Sequence, residues 1–218
     1  MILPVLLLAF LFLAGLLAAE RRESQAGILL TKPVVSALFI VAIFHRPHPE
    51  AAYFWLILVG LIFCWLGDLF LVFFFRKKFF LAGLAAFLTG HVMYAVAFFL
   101  LGGASITVWL ALLPIGVASG YVFVRLRPFL GEMRLPVIGY VIIISLMLLG
   151  ARALAGNPAM PALNRGMTLL GAFSFYLSDI FVARQRFLRP QYANRLFGLV
   201  LYYVGQFLIA LAAGGLVK

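Results

Sequence analysis

Eight runs of predominantly apolar residues follow one another along the chain, and each is long enough to cross the hydrocarbon core of a bilayer as an α-helix. Backbone polar groups inside lipid must be paired within the protein, so runs of this length exclude open sheets and predict helices. Of the 218 residues, 66% are hydrophobic and 11% are charged, against the roughly 25% charged residues of a soluble domain. We therefore predict an all-α polytopic membrane bundle, one transmembrane domain over residues 1–218. Its eight helices are expected near 2–19, 26–44, 53–75, 79–101, 105–124, 136–155, 166–183 and 196–216.

The basic residues are distributed unevenly among the connections between these runs. The side of the membrane reached by the second, fourth and sixth connections and the C-terminus holds four Lys and Arg, namely Arg46, Arg152, Arg165 and Lys218. The odd-numbered connections hold twelve, namely Arg21, Arg22, Arg76, Lys77, Lys78, Arg125, Arg127, Arg134, Arg184, Arg186, Arg189 and Arg195. The positive-inside rule then places the odd connections in the cytoplasm and both termini outside it. We expect an integral multi-pass protein of a plasma membrane, which in a bacterium is the inner membrane.

The formal net charge of +11 does not indicate a nucleic-acid-binding protein, because the basic residues form no continuous stripe. The lipid bilayer and its phosphates are the expected partners, and no nucleic acid is expected. The single Cys64 excludes an intramolecular disulfide, and the chain has no HExxH or Cys/His ligand pattern. We expect no metal and no cofactor.

The chain contains only two aspartates, Asp68 and Asp179, and both lie inside apolar runs. A carboxylate within a membrane costs at least about 2.5–3.5 kcal/mol, so such residues are functional candidates. Counting the helical rise from Arg76 and Arg184 puts Asp68 roughly 12 Å and Asp179 roughly 8 Å below the same membrane face. If the two carboxylates act together, the third and seventh helices must be neighbours.

Further polar residues lie within the predicted helices, in the cytoplasmic half or near the midplane, whereas the outer half contains almost none. His91 and Tyr94 share a helix face, as do Tyr203 and Gln206, because each pair is spaced i, i+3. This asymmetry predicts one cavity opening toward the cytoplasmic leaflet. The candidates besides the aspartates are Lys32, His91, Tyr94, Tyr140, Ser178, Tyr202, Tyr203 and Gln206.

Each of these residues also has a purely structural interpretation. Lys32 and Asp68 could form a self-neutralising ion pair, and Asp179 could extend to the nearby interface. His91 could hydrogen-bond two helices together, as polar residues often do in membrane bundles. For the tyrosines and Gln206 taken singly, a packing role is equally compatible with the sequence.

An ordered set of short motifs spread over five of the runs resembles the YhhN family of membrane proteins, which includes the lysoplasmalogenases. The motifs are Lys32-Pro33, Leu66-Gly67-Asp68, His91-Val-Met-Tyr94, Leu177-Ser178-Asp179 and Tyr202-Tyr203-Val-Gly-Gln206. The resemblance covers essentially the whole chain. It implies a hydrolase of lipid metabolism that cleaves the vinyl ether bond of an ether lipid, lysoplasmalogen. The products would be a fatty aldehyde and glycerophosphoethanolamine or glycerophosphocholine.

The residues suit this chemistry, because two carboxylates in different protonation states can deliver a proton and activate water. We predict Asp68 and Asp179 as the catalytic pair, with His91 orienting substrate or relaying protons. Asp179 is nearer the aqueous side, which favours it as the base and Asp68 as the acid. Lys32, Arg76 and Arg186 are candidates for the substrate phosphate. The predicted substrate-binding residues are Lys32, Tyr94, Tyr140, Ser178, Tyr203 and Gln206.

Three other functions compete with this interpretation. A transporter could use Asp68, His91 and Asp179 as an ion path, although inverted repeats and a polar outer half are lacking. An intramembrane aspartyl protease would need Gly-x-Gly-Asp, but Trp65 stands at the first glycine position. A structural scaffold leaves the two buried aspartates unexplained. No GxSxG motif of a serine lipase occurs.

Overall fold

The computed structural model describes residues 2–45, 47–48, 50–103 and 106–214, without the side chain at position 107. Arg46 and Lys218, and the predicted helix ends at 105 and 216, lie outside the described residues. The described chain forms eight α-helices and no strand, which confirms the all-α class. They are α1 (Leu3–Arg21), α2 (Gln25–Ile43), α3 (Ala51–Leu71), α4 (Lys77–Gly102), α5 (Ile106–Leu130), α6 (Arg134–Ala155), α7 (Ala162–Ala183) and α8 (Tyr192–Ala212).

Seven continuous helical segments of the described chain are long and apolar enough to cross a membrane, one fewer than the eight predicted. The difference arises because a 3₁₀ turn, Gly131–Met133, joins α5 and α6 into the single segment Val108–Ala155. Ser119 and Ser145, which lie equally far along the chain from Glu132, are hydrogen-bonded at 2.7 Å. The joined segment therefore folds back on itself at the turn, where Gly131 adopts a φ of 50°.

The boundary that matters most for the candidate site is the end of α3, which lies at Leu71 rather than near residue 75. Residues 72–75 form turns instead, closed by short-range bonds such as Phe73 N–H to the Phe70 carbonyl and Arg76 N–H to the Phe73 carbonyl. Asp68 therefore lies in the last turn of its helix. The predicted depth of Asp68 counted residues 72–75 as helix, and the structure contradicts that assumption.

The helices form a closed ring in the order α2, α3, α4, α6, α7 and α8, with α8 returning to α2 and also contacting α3. Helix α1 packs on α2 and α8 and α5 packs on α6, and both helices also border the space at the centre of the bundle. Glycine allows close approach of α7 and α8 within the ring: a Cβ on Gly205 would lie 2.8 Å from the Gly171 carbonyl oxygen. The ring surrounds a space that opens at the end carrying the connections 22–24, 72–76, 131–133 and 184–191, which we call the basic end.

The opposite end of the bundle is less apolar than the sequence suggested. Tyr53, Asn164 and Thr168 are all buried there. The Asn164 side-chain amide donates to the Ala212 carbonyl at 2.9 Å, and Thr168 donates to the Asn164 carbonyl at 3.0 Å. The expectation of an almost non-polar outer half was therefore wrong. Asn164 joins the start of α7 to the end of α8, whereas Thr168 bonds within α7, and none of the three residues lines the cavity described below.

Candidate active site

One cavity reaches from the basic end to the middle of the bundle, and both aspartates line it. Its polar lining includes Lys32, Asp68, Tyr140, Asp179 and Tyr202. Most of the remaining wall is aliphatic or aromatic. The apolar lining residues are Leu71, Phe74, Phe80, Leu84, Phe87, Val122, Leu126, Val137, Val141, Ile144, Ile180, Val182, Ala183, Phe187 and Leu199.

Asp68 lies against α2 and α8 with both carboxylate oxygens occupied. Lys32 Nζ is 3.2 Å from Oδ1, whereas Ser36 Oγ and the Tyr202 hydroxyl donate to Oδ2 at 2.6 and 2.5 Å. The Asp68 side chain is 2% exposed and that of Lys32 is 7% exposed. A buried carboxylate needs this kind of compensation by a cation and hydrogen-bond donors. The ion-pair interpretation of Lys32 is thus the one observed in the structure.

Tyr203 supports this cluster from behind. Its hydroxyl is 3.0 Å from Ser36 Oγ, which also lies 2.9 Å from the Lys32 carbonyl oxygen. A serine hydroxyl has a single proton, so when Ser36 donates to Asp68, the Tyr203 hydroxyl must donate to Ser36. Tyr203 then acts on the carboxylate through Ser36, and it does not line the cavity.

Asp179 has fewer partners than Asp68. The Tyr140 hydroxyl donates to Asp179 Oδ2 at 2.7 Å, and His91 Nε2 lies 3.9 Å from the same oxygen, beyond hydrogen-bond distance. The Asp179 side chain is 17% exposed. Among the described residues no cation pairs with Asp179 except the His91 ring, if that ring is protonated. The two carboxylates therefore sit in different electrostatic surroundings.

His91 is fully buried, and neither of its ring nitrogens has a hydrogen-bond partner among the described residues. Its ring packs edge-on against Tyr140 and Phe175, with centroid distances of 5.3 and 4.5 Å. Burying an imidazole without hydrogen-bond partners costs free energy, and a histidine that only joins helices would be expected to have a partner. His91 stands behind Asp179 rather than in the cavity wall.

Three other predicted substrate-binding residues are occupied by protein contacts. The Tyr94 hydroxyl donates to Gln206 Oε1 at 2.8 Å, and both side chains are buried away from the cavity. The Gln206 side-chain nitrogen has no partner in the described chain. Ser178 lines the cavity, but its hydroxyl donates to the Gly198 carbonyl at 2.9 Å. Of the predicted binding residues, Lys32, Tyr140 and Ser178 border the space where a ligand would lie.

The expected packing of the third helix against the seventh is not found. In the described chain α3 and α7 do not pack along their lengths. Helix α8 contacts both of them, and on the other side of the ring α4 and α6 lie between them. The rings of Phe87, Phe175 and Tyr202 pack edge-to-face with centroids 5.1 to 6.2 Å apart, and this cluster contacts Asp68 through Tyr202 and the His91 ring through Phe175. The prediction placed the carboxylates on adjacent helices, whereas the structure brings them to one cavity across intervening helices.

The three phosphate candidates have different surroundings. Lys32 is paired with Asp68, as described above. The Arg186 guanidinium donates to the Phe74 carbonyl at 3.0 Å and lies 4.6 Å from the Phe80 ring centroid. Arg76 is exposed beside the Phe73 ring, 6.0 Å from its centroid. Neither Arg76 nor Arg186 borders the cavity.

Comparison of the amino-acid sequence with known protein families gives a match over most of the chain. The statistical description of the YhhN family matches residues 27–213, which is most of the chain. The chain belongs to the YhhN family. All the candidate site residues fall within the matched range. Only α1 and the first residues of α2 precede it.

Several curated proteins resemble this YhhN-family chain. The Bos taurus protein lysoplasmalogenase TMEM86A is 35% identical over 174 residues, which span 78% of this chain and 68% of that protein. Its Homo sapiens counterpart is 34% identical over the same shares. Homo sapiens lysoplasmalogenase TMEM86B is 33% identical over 134 residues, spanning 62% of this chain and 54% of that protein. No solved structure matches this chain.

Two polar features of this YhhN-family chain were missed in the sequence analysis. Ser36 follows Lys32 by one helical turn, so the i, i+4 spacing could have identified it. Ser119 bonds both Ser145 and the Tyr176 hydroxyl, the latter at 2.8 Å, and Ser119 and Tyr176 line the cavity. Nothing in the spacing of single serines along separate helices signals such a cluster. Its two cavity-lining members lie on α5 and α7.

Proposed function

We propose that this chain is a membrane-embedded hydrolase that cleaves the vinyl ether bond of lysoplasmalogen, releasing a fatty aldehyde and the glycerophospho-headgroup. The observation that carries the proposal is that Asp68 and Asp179 line one largely apolar cavity in different surroundings. The named activity of the relatives supports the same substrate class. The apolar wall suits the alkenyl chain of a lysolipid.

The first step of the reaction is the protonation of a carbon atom of the vinyl ether. A general acid protonates the alkene carbon farther from the ether oxygen, and the electron pair of the double bond forms that new C–H bond. The adjacent carbon and oxygen then share the positive charge of an oxocarbenium ion. Water attacks this carbon while a carboxylate accepts its proton, and the resulting hemiacetal breaks into aldehyde and glycerol alcohol. Water is the only co-reactant consumed.

The contacts support the reverse of the assignment that the sequence favoured. Asp68 is held by Lys32 and two hydroxyl donors, which suits a carboxylate that stays negative while it stabilises the oxocarbenium ion and accepts a proton from water. Asp179 accepts from Tyr140 at Oδ2, which leaves Oδ1 to carry a proton toward the cavity. We therefore assign Asp179 as the acid and Asp68 as the base.

His91 serves Asp179 in this scheme as a positioning residue. Its Nε2 is 3.9 Å from Asp179 Oδ2, so a small shift of either side chain would form a hydrogen bond. Such a bond would form or break as Asp179 loses and regains its proton. One turn further along the same face of α4, the hydrogen bond from Tyr94 to Gln206 joins α4 to α8.

The test uses purified protein in detergent with 1-alkenyl lysophosphatidylethanolamine, and measures fatty aldehyde. Run in D₂O, the reaction should place one deuterium on the aldehyde carbon next to the carbonyl, because that carbon receives the acid's proton. Free aldehyde incubated alongside controls for exchange. The saturated 1-alkyl analogue should be inert and the 1-acyl ester uncleaved. No aldehyde, or aldehyde without deuterium, would refute the proposed chemistry.

A further inference from the structure

An ion pair between α1 and α8 lines the same cavity at the basic end. Arg195 lies 2.7 Å from Glu20, with side chains 18% and 5% exposed. Glu20 is in the last turn of α1, and Arg195 is in the first turn of α8. Both residues border the cavity. Isolated from water, such a pair is a costly way to join two helices.

Arg195 is the cation best placed to receive an anionic ligand. Lys32 and Arg195 are the basic residues that line the cavity in the described chain, and Lys32 is paired with Asp68. The Arg195 guanidinium also lies over the Phe74 and Phe75 rings, 5.2 and 5.4 Å from their centroids. These rings orient the guanidinium without using its N–H donors, so a phosphate could take the place of the Glu20 carboxylate.

The position of Arg195 fits a headgroup whose reactive bond lies deeper. Arg195 and Tyr202 are seven residues apart on α8, so they share a helix face and are separated by roughly 10 Å along its axis. Tyr202 donates to Asp68 at 2.5 Å. A lysolipid with its phosphate at Arg195 would therefore extend its glycerol toward Asp68 and its hydrocarbon chain into the apolar part of the cavity.

We propose that Glu20 and Arg195 form the headgroup subsite, which opens to bind a zwitterionic phosphoethanolamine or phosphocholine. The phosphate pairs with Arg195, and the ammonium pairs with the released Glu20 carboxylate beside the Phe74 ring. Both charges of the protein pair thus find a partner of opposite sign in the ligand. This inference rests on the proposed lysolipid substrate, but it concerns binding rather than cleavage.

Binding is measured by calorimetry in nanodiscs with 1-alkyl lysolipids, whose saturated ether cannot undergo the proposed reaction. The three probes carry phosphoethanolamine, phosphocholine or a bare phosphate. Arg195→Gln should weaken all three by about ten- to a hundredfold, since each loses a charge-assisted hydrogen bond. Glu20→Gln should weaken the two zwitterionic probes by about tenfold and leave the bare phosphate unchanged or tighter.

Arg189→Gln is the matched control, because Arg189 is an exposed arginine at the same end and does not line the cavity. The swapped variant Glu20→Arg/Arg195→Glu separates binding from structure. It restores an ion pair, so its thermal stability should return to that of the wild type while zwitterion binding stays weak. Wild-type affinity in the swapped variant would overturn the subsite, because the pair would then serve only to join α1 and α8.

Two soluble competitors distinguish a lipid headgroup from a free anion. Glycerophosphoethanolamine should displace the alkyl probe at millimolar concentration, whereas inorganic phosphate at the same concentration should not. Equal displacement by inorganic phosphate would overturn the headgroup assignment. Because none of these measurements needs turnover, a failure of the hydrolase assay leaves them interpretable, and loss of binding alone refutes only the subsite.

Discussion

At the scale of single residues, the site depends on how two carboxylates are compensated. Asp68 is buried and accepts from Lys32, Ser36 and Tyr202, whereas Asp179 accepts a hydrogen bond from Tyr140 alone among the described side chains. A buried charge that loses its partner is strongly destabilising, by about 3–5 kcal/mol. Substitutions at Asp68 and Lys32 should therefore disturb the fold as well as the chemistry, whereas substitutions at Asp179 should leave the fold intact.

Lys32→Met should lower the free energy of unfolding by about 3–5 kcal/mol, because Asp68 would remain as a buried unpaired carboxylate. The double variant Lys32→Met/Asp68→Asn removes both charges and should recover most of that stability without recovering activity. Thermal unfolding in detergent, combined with the aldehyde assay, measures both effects. If Lys32→Met is as stable as the wild type and only raises KM, the partner of Lys32 is the substrate phosphate and not the Asp68 carboxylate.

Asp179→Asn should keep the wild-type melting temperature and reduce kcat by about 10²–10⁴-fold, the usual contribution of a general acid. Asparagine preserves the shape of the side chain and can still accept from Tyr140, but it has no acidic proton to give. Steady-state kinetics on the 1-alkenyl lysolipid check the prediction. Near-normal turnover in a folded Asp179→Asn variant would rule out the two-carboxylate mechanism.

Tyr140→Phe offers a milder test of the same carboxyl group. It removes the 2.7 Å hydrogen bond to Asp179 but retains the ring that packs against His91. We expect kcat to fall by about tenfold with KM unchanged, because Tyr140 would stabilise the carboxylate that forms as Asp179 gives up its proton, and a hydrogen bond to a charged group contributes about 1.5–3 kcal/mol. A change confined to KM would instead make Tyr140 a substrate-binding residue, as the sequence suggested.

At the scale of helices, glycine contacts determine how closely α7 and α8 approach. A Cβ on Gly171 would lie 2.9 Å from the Gly205 carbonyl oxygen, and one on Gly205 would lie 2.8 Å from the Gly171 carbonyl oxygen. Both obstacles are backbone atoms, which cannot move aside as a flexible side chain would. Such small residues let membrane helices pack backbone to backbone. This approach holds Asp179 of α7 and Tyr202 of α8 at one cavity.

Gly205→Ala should therefore destabilise the bundle by about 1–3 kcal/mol, the usual cost of overpacking. Gly166→Ala is the matched control on α7, because a Cβ at Gly166 meets nothing within 4 Å. It should be neutral or raise stability by up to about 1 kcal/mol, owing to the better helix propensity of alanine. Melting temperatures of the two variants in the same detergent test this. Equal melting temperatures would show that α7 and α8 can separate at no cost.

At the scale of the whole molecule, the α5–α6 hairpin decides the topology. Seven straight spans would leave the termini on opposite sides of the membrane. The Ser119–Ser145 hydrogen bond shows that Val108–Ala155 folds back at Gly131–Met133, so we predict that this segment crosses the membrane twice. The bias of twelve basic residues against four then predicts both termini outside the cytoplasm.

Reporter fusions at the two termini should therefore give the same result, and a reporter inserted at Glu132 should give the opposite one. Alkaline phosphatase is active only outside the cytoplasm, and a green fluorescent reporter matures mainly inside it, so the two together assign each site. A cytoplasmic C-terminus combined with an external N-terminus would mean that α5 and α6 cross the membrane only once. A cytoplasmic location for both termini would reverse the predicted orientation of the cavity.

The sequence by itself determined the helical class, the approximate spans, the charge asymmetry and the location of both aspartates inside apolar helices. These features follow from local properties of the sequence. Whether a run requires lipid, and what a carboxylate costs there, does not depend on which helices pack together. The family motifs identified Lys32, Asp68, His91 and Asp179 without any structure. The pairing of Lys32 with Asp68 was open as an alternative, since the two residues lie on successive helices.

Only the tertiary structure decided which polar residues line the cavity and which instead form hydrogen bonds between helices away from it. Tyr94, Tyr203 and Gln206 turn away from it, whereas Glu20 and Arg195, at the ends of distant helices, meet at its wall. A period of 3.6 residues specifies which residues share a helix face, but the rotation of each helix about its axis is set by neighbours far away in sequence. The close approach of α7 and α8 and the fold-back at Gly131 are two of the tertiary contacts that constrain those rotations. That is why the apolar pattern could predict the helices but not the composition of the site they enclose.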